Sequence, residues 1–297
     1  MRRFAIEIDG KPFIKHGTGS ESRGLYFRVT FRCNNSYTYC LGLLDLAIYN
    51  LSNQTQIKMG AKITLKAGYD EQIDSIFTGC IMSVLKEREG PNIITRLICR
   101  SGEMPKFDAK GQELRPVINK SFGKGTEVLT LIQAVGEAWN KPISKQDEQF
   151  SDVQPLARMR PLCGDVKTVM DALAEEFKFS WCLVQDKIVI DRKDSPRKGD
   201  AYLLNFRTGL IGVPEMADEN VGVFVDMTSC LAPSLRLGGL VKLESKYASY
   251  NTGNMYFRPP TNGGDLSGVY RIMELTHEGD SWGSPWQTHI KGMLNGR

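Results

Sequence analysis

Gly60-Ala61-Lys62-Ile63-Thr64-Leu65-Lys66-Ala67-Gly68-Tyr69 lines up without gaps on Gly238-Gly239-Leu240-Val241-Lys242-Leu243-Glu244-Ser245-Lys246-Tyr247. Both decapeptides open on glycine and close on tyrosine. Between those ends, Ala61, Ile63, Leu65 and Ala67 alternate with Lys62, Thr64 and Lys66. Period-two alternation marks a strand with one buried face, because successive side chains leave a pleated backbone on opposite sides. Downstream, Ile81-Met82-Ser83-Val84 answers Ile272-Met273-Glu274-Leu275, and Thr95-Arg96-Leu97 answers Thr288-His289-Ile290, in the same order and at similar spacing. Such self-similarity reads as a duplicated β domain. The competing reading is that any two β segments share glycines, branched residues and alternation.

The rest of the first hundred residues carries the same period. Leu25, Phe27, Val29, Phe31 and Cys33 form one stripe, and Ile93, Thr95, Leu97 and Cys99 another. Phe4, Ile6 and Ile8 run into Asp9-Gly10, a dipeptide suited to the positive φ angles of a tight hairpin. Many short alternating strands point to a sandwich or barrel. After residue 200 the pattern returns, with Val221, Val223, Val225 and Met227, and then Trp286, Thr288 and Ile290.

Between these halves the period lengthens. Thr126 is the expected cap of a helix carrying Val128, Leu129, Ile132, Val135 and Trp139 on one face. Asp165 is the expected N-cap of a second helix, with Val166, Val169, Met170, Leu173 and Phe177 inward. Residues 180–184 and 187–190 form a hairpin across Gln185-Asp186, and the charged, turn-rich residues 191–200 read as a linker. The fold class is therefore mainly β with an inserted α/β unit.

Composition narrows the function. Of the 297 residues, 41% are hydrophobic and 24% charged, within the range of folded globular chains. The net charge of +4 arises from 38 basic residues scattered among 34 acidic ones, so no basic tract outlines a nucleic-acid surface. The seven cysteines are odd in number and form no CxxC pair; they read as buried free thiols in a reducing compartment. With only His16, His277 and His289 beside them, no zinc site is expected. The N-terminus lacks the apolar core of a signal peptide, and no run of eighteen apolar residues is present, so synthesis in the cytoplasm without stable membrane association is expected.

Three further stretches carry a family resemblance: Ile48-Tyr49-Asn50-Leu51-Ser52, then Lys66-Ala67-Gly68-Tyr69, then Ile76-Phe77-Thr78-Gly79 with Ile81 beyond. Gly268-Val269-Tyr270-Arg271-Ile272 through His277-Glu278-Gly279-Asp280-Ser281, followed by Trp286-Gln287-Thr288, extends it to the C-terminal half. In this order the motifs resemble the central baseplate hub proteins of contractile-tailed bacteriophages. The resemblance implies two similar tail-tube-like β-barrel domains, at 1–112 and 199–297, flanking a small α/β domain at 113–198. It implies a homotrimer in the virion tail baseplate, joining the hexameric tail tube or tube-initiator proteins to the trimeric spike. Wedge or other baseplate proteins would be further partners, and DNA would cross only in transit through a central channel. A subunit with two similar domains presents six similar units in a trimer, which suits a sixfold tube above and a threefold spike below. Alternatives within tails are a tail-tip or tube-extension protein and the hub of a contractile bacteriocin.

The rival class is a tail-associated peptidoglycan hydrolase, for which the chain supplies neither a catalytic constellation nor room for an added domain. Gly17-Thr18-Gly19-Ser20 and Gly123-Lys124-Gly125-Thr126 lack Walker spacing, and the second reads as a turn before a helix. His277 and Asp280, with Glu274 and Glu278 nearby, would be the acid–base candidates. On a strand, however, His277 and Glu278 point to opposite faces, and Gly279-Asp280 reads as a turn. The expectation is no enzyme activity, no cofactor and no metal. Asn50 and Tyr69 are assigned to turns and packing. Tyr256, Phe257, Trp282 and Trp286 cluster near Pro259-Pro260 and Gly263-Gly264, and they are the candidate subunit contacts because interfaces favour such aromatics.

Overall fold

Positive φ at two consecutive residues fixes the hairpins at Asp9-Gly10 and Gln185-Asp186. Asp9 and Gly10 have φ of 51° and 74°, and Gln185 and Asp186 have 49° and 61°. Paired positive φ is the geometry whose twist matches the flanking strands. A computed structural model describes residues 1–16, 27–38, 40–52, 54–70, 72–111, 113–144, 150–192, 199–219, 222–250 and 266–295. The stripe at Leu25, the Gly17–Ser20 loop, residues 193–198 of the expected linker, Val221, Tyr256 and Phe257 lie outside the described residues.

In the N-terminal half the strands are β1 (Arg2–Ile8), β2 (Lys11–His16), β3 (Val29–Ser36), β4 (Leu43–Tyr49), β5 (Lys62–Tyr69), β6 (Gln72–Glu89) and β7 (Asn92–Arg100). A small hairpin, β8 (Lys106–Phe107) and β9 (Glu113–Leu114), precedes the α/β unit. That unit comprises β10 (Val117–Phe122), α1 (Val128–Trp139), β11 (Arg160–Asp165), α2 (Val166–Glu176), β12 (Phe179–Val184) and β13 (Lys187–Arg192). The C-terminal half holds β14 (Ala201–Leu204), β15 (Leu210–Glu219), β16 (Gly222–Cys230), β17 (Leu240–Leu243), β18 (Ser249–Tyr250), β19 (Gly268–Asp280) and β20 (Trp286–Leu294).

Among the described residues the two halves share one 14-stranded sheet, joined where β3 pairs antiparallel with the end of β19. Within the first half the order is β3-β4-β7-β6-β5, and within the second it is β15-β16-β20-β19-β17. The two orders are the same when the strands are matched in sequence. The local geometry matches as well. Gly60 N–H donates to Ile81 O and Ile81 N–H to Ala61 O, as Gly238 donates to Ile272 and Ile272 to Gly239. The ladder shifts register between Ile81 and Ser83 in one half, and between Ile272 and Glu274 in the other. Among the described residues the strand pairs form an open path and do not close into the expected barrels.

Buried apolar side chains gather in three main clusters. The first is built on Phe4 to Cys99 and borrows Leu231 and Trp286 from the second half. The next lies within residues 118–190, between α1, α2 and the β12–β13 hairpin, and the last within 204–290. Each cluster removes a sheet face or helix stripe from water, which is what stabilises the layers.

Several local expectations are corrected. Thr126 does not cap α1: Glu127 holds the N-cap position, and the Thr126 hydroxyl donates to Gly123 O in the preceding turn. Asp165 does cap α2, accepting from Thr168 N–H. Gly279-Asp280 is not a turn, because β19 runs through Asp280 and the chain reverses at the next four residues. Ile93, at a hairpin end, is exposed, whereas Thr95, Leu97 and Cys99 are buried. Cys163 and Cys230 are exposed thiols, so burial holds for Cys33, Cys80, Cys99 and Cys182, with Cys40 intermediate.

Candidate assembly surfaces

The acid–base candidates are each committed to a different structural contact. Thr288 Oγ1 accepts from Ala232 N–H and shares a hydrogen bond with His277 Nδ1, 3.0 Å away. Complete burial, with Arg236 adding repulsion, pushes the His277 pKa down to about 3, so this imidazole is neutral. The Asp280 carboxylate is held below the ordinary carboxylate range, because Arg28, at 2.7 Å, and backbone N–H groups outweigh its partial burial. Glu274 accepts from Ser36 Oγ at 2.9 Å, and Glu278 lies 3.4 Å from His289 Nε2. Among the described residues no group of three His, Cys, Asp or Glu side chains could hold a metal ion.

What these residues build is the seam between the halves. Beside the Arg28–Asp280 pair, Ser281 Oγ accepts from Val29 N–H and donates to Phe27 O, while the Arg2 guanidinium donates to the carbonyls of Gly283 and Ser284. Under the seam Trp286 meets Phe31 edge-on at 5.4 Å, with Arg2 over its ring. Of the four aromatics singled out in the sequence, Trp286 is 4% exposed and belongs to this intrachain core, whereas Trp282 is 65% exposed. Asn50 closes the β4 end as expected, its side chain bridging Asn92 and Ile93 N–H.

The α/β unit is held by a second set of contacts. Gly42 N–H donates to Leu183 O and Leu183 N–H to Cys40 O. Gln185 donates to Ser75 O at 2.7 Å, and Lys62 and Lys141 converge on Asp186. Arg271 on β19 reaches Asp191 on β13, both out of solvent, and donates to Arg192 O. This pair escaped the sequence reading, in which Asp191 was the first residue of a linker. The signal was there in the alternation of Ile188, Ile190 and the residues between them, which carries the strand on to Arg192. Among the described residues, one surface cavity of about 350 Å³ lies between Arg100–Lys106 and Trp139, Trp181 and Leu183, and another of about 860 Å³ is walled by the exposed Phe206, Val213 and Tyr247.

The fold, two β halves sharing one sheet with an α/β unit between them in sequence, is that of phage tail proteins. The chain belongs to the baseplate hub gp41 family, whose model matches residues 43–256. It is similar in structure to the 43 kDa tail protein of prophage MuSo2 from Shewanella oneidensis, with a TM-score of 0.59 at 10% identity over 99% of this chain and 98% of that one. A tail protein from Neisseria meningitidis MC58 aligns with a TM-score of 0.56 at 12% identity, over 98% and 96% of the two chains. The c3393 protein of E. coli, a type VI secretion component described as similar to the T4 tail proteins gp27 and gp5, aligns at 0.55 and 12% identity, over 97% of this chain and 76% of its own. No curated protein sequence matches the chain. Membership in the hub family makes the protein a structural component of a phage tail baseplate, associated with other tail proteins. Among the described residues no helix is long and apolar enough to cross a membrane.

Proposed function

We propose that the chain is the homotrimeric hub of the baseplate, joining the hexameric tail tube to the trimeric spike around a central channel for DNA, with no enzymatic step of its own. The observation that carries this reading is the repeated strand order, β3-β4-β7-β6-β5 and β15-β16-β20-β19-β17, with its matching bulges at Ile81 and Ile272. A chain with two equivalent β halves gives three subunits six equivalent positions, so one ring can meet sixfold and threefold neighbours. The three core clusters support a division into a tube-like domain at 1–112, an α/β domain at 113–198 and a second tube-like domain at 199–297. Trp282, exposed on the turn after β19, is the aromatic assigned to subunit contact. Light scattering on the purified chain, alone and with its spike protein, is expected to give the mass of a trimer and of a trimer–spike complex. A monomer at high concentration that also leaves the spike unbound would overturn the hub reading.

A further inference from the structure

The cavity of about 350 Å³ lies where the end of β7 and the β8–β9 hairpin face α1, α2 and β12 of the α/β unit. Ligand pockets span about 300 to 1,000 Å³ and favour such junctions between packed units. Its floor is apolar. Leu41, Trp139, Trp181 and Leu183 all belong to the core cluster of the α/β unit, and the lining also takes in the exposed side chains of Met104 and Leu114.

Around this floor stand five cations, Arg100, Lys106, Arg115, Lys141 and Lys167, against two carboxylates, Glu103 and Glu113. Carboxylates behind the lining neutralise part of the excess, since Lys141 meets Asp186 at 3.2 Å and Lys167 meets Asp171 at 3.3 Å. On the hairpin side the excess remains. Arg100 and Arg115 share the single carboxylate of Glu113, at 3.0 and 2.6 Å, with Asp165 standing off from Arg115 at 3.9 Å. Lys106, beside them in the lining, forms no ion pair among the described residues. An apolar floor next to uncompensated positive charge selects a ligand that carries both an apolar group and an anion.

We propose that this cavity binds a short acidic peptide segment of another tail protein, with one carboxylate among Arg100, Lys106 and Arg115 and a flanking apolar side chain over Leu41 and the tryptophans. Guanidinium and carboxylate make charge-assisted hydrogen bonds, and the apolar neighbour gains by leaving water. A stacked nucleotide base fits less well. Trp139 and Trp181 pack edge to face at 5.6 Å and 71°, and Trp181 is 3% exposed with its Nε1–H donated to Asp171, so the pair fills the floor instead of offering two open ring faces. The site draws on membership in a baseplate family and does not depend on the chain being a trimer.

The full chain labelled with 5-fluorotryptophan gives the test, because two of its four tryptophans line the cavity and Trp282 and Trp286 lie elsewhere. The probes are acetyl-Leu-Glu-Leu-amide and its Gln counterpart, with adenosine monophosphate and inorganic phosphate as competing chemistries. The expected result is a saturable shift of the Trp139 and Trp181 fluorine resonances with the Glu peptide alone, while Trp282 and Trp286 stay in place. Leu114→Glu, which sets a carboxylate among the same cations, should abolish the shift, and Leu114→Gln should retain it. Arg115→Gln should weaken binding about two- to fivefold, the scale of one partly exposed ion pair. Unmoved Trp282 and Trp286 resonances show that each variant is folded. No shift at the solubility limit of the Glu peptide, or equal shifts with the Glu and Gln peptides, would overturn the proposal. A shift that adenosine monophosphate or inorganic phosphate reproduces would also overturn it, in favour of a phosphate site.

Discussion

Arg271 on β19 and Asp191 on β13 form an ion pair sealed from solvent, 3.3 Å from guanidinium Nε to carboxylate, and this pair ties the α/β unit to the C-terminal half. At the position that matches Arg271 in the first half stands Cys80, as the pairing of Lys62 with Cys80 and of Leu240 with Arg271 requires. The two halves thus differ where only one of them receives the α/β hairpin. Removing one member leaves a buried charge uncompensated. Arg271→Ala is expected to cost about 3–5 kcal/mol, and Arg271→Leu combined with Asp191→Leu much less, because no charge is then left buried. Urea unfolding of the three proteins measures the difference.

His277 makes stability depend on pH with a definite sign. Its folded pKa of about 3 lies below the ordinary imidazole value, so the unfolded chain binds the proton first as pH falls. The contribution is fully present above the unfolded pKa of about 6.5 and is lost between there and about 3, at up to about 1.4 kcal/mol per pH unit. Unfolding free energies at pH 7 and pH 5 are expected to differ more for the parent than for His277→Gln, which has no proton to take up.

Gly79, in the Ile76-Phe77-Thr78-Gly79 motif, has a steric reason to be glycine. A Cβ there would lie 2.2 Å from Arg100 O and 2.7 Å from the Phe77 ring, and the carbonyl belongs to the β7 ladder. Gly79→Ala is expected to destabilise by about 1–3 kcal/mol, since relief requires β6 and β7 to separate locally. Gly123→Ala, with nothing within 4 Å of its added carbon, is the control, and thermal unfolding separates the two.

The strands were legible in sequence because alternation is a local signal. Phe31, Ile63, Leu65 and Leu97 fall on buried faces as their spacing requires, and the Asp165 cap and the Gln185-Asp186 turn depend on residues within one or two turns of the chain. The helix start at Thr126 was misplaced by one residue because a hydroxyl before a helix can serve either its N–H groups or the turn behind it, and here it serves Gly123 O. Continuity of the sheet was not legible. Pairing of β3 with β19 joins residues about 240 apart, and nothing local in Thr30–Ser36 distinguishes an edge strand from a central one. The role of Trp286 was hidden for the same reason. Its aromatic face suits an interface, but its partners, Phe31 and Arg2, lie at the other end of the chain.

Thiol reactivity gives a test of the burial pattern that does not depend on unfolding. The thiolate is the nucleophile, so both exposure and pKa govern labelling. Burial pushes the Cys33 thiol up to about 12 and raises Cys99 and Cys182 as well, whereas Cys163 and Cys230 are exposed. Cys40 and Cys80 are also raised by burial, from less enclosed positions. Brief treatment of the native protein with an aromatic disulfide at pH 8, read by peptide mass spectrometry, is expected to label Cys163 and Cys230 first and to leave Cys33, Cys99 and Cys182 unmodified until denaturant is added.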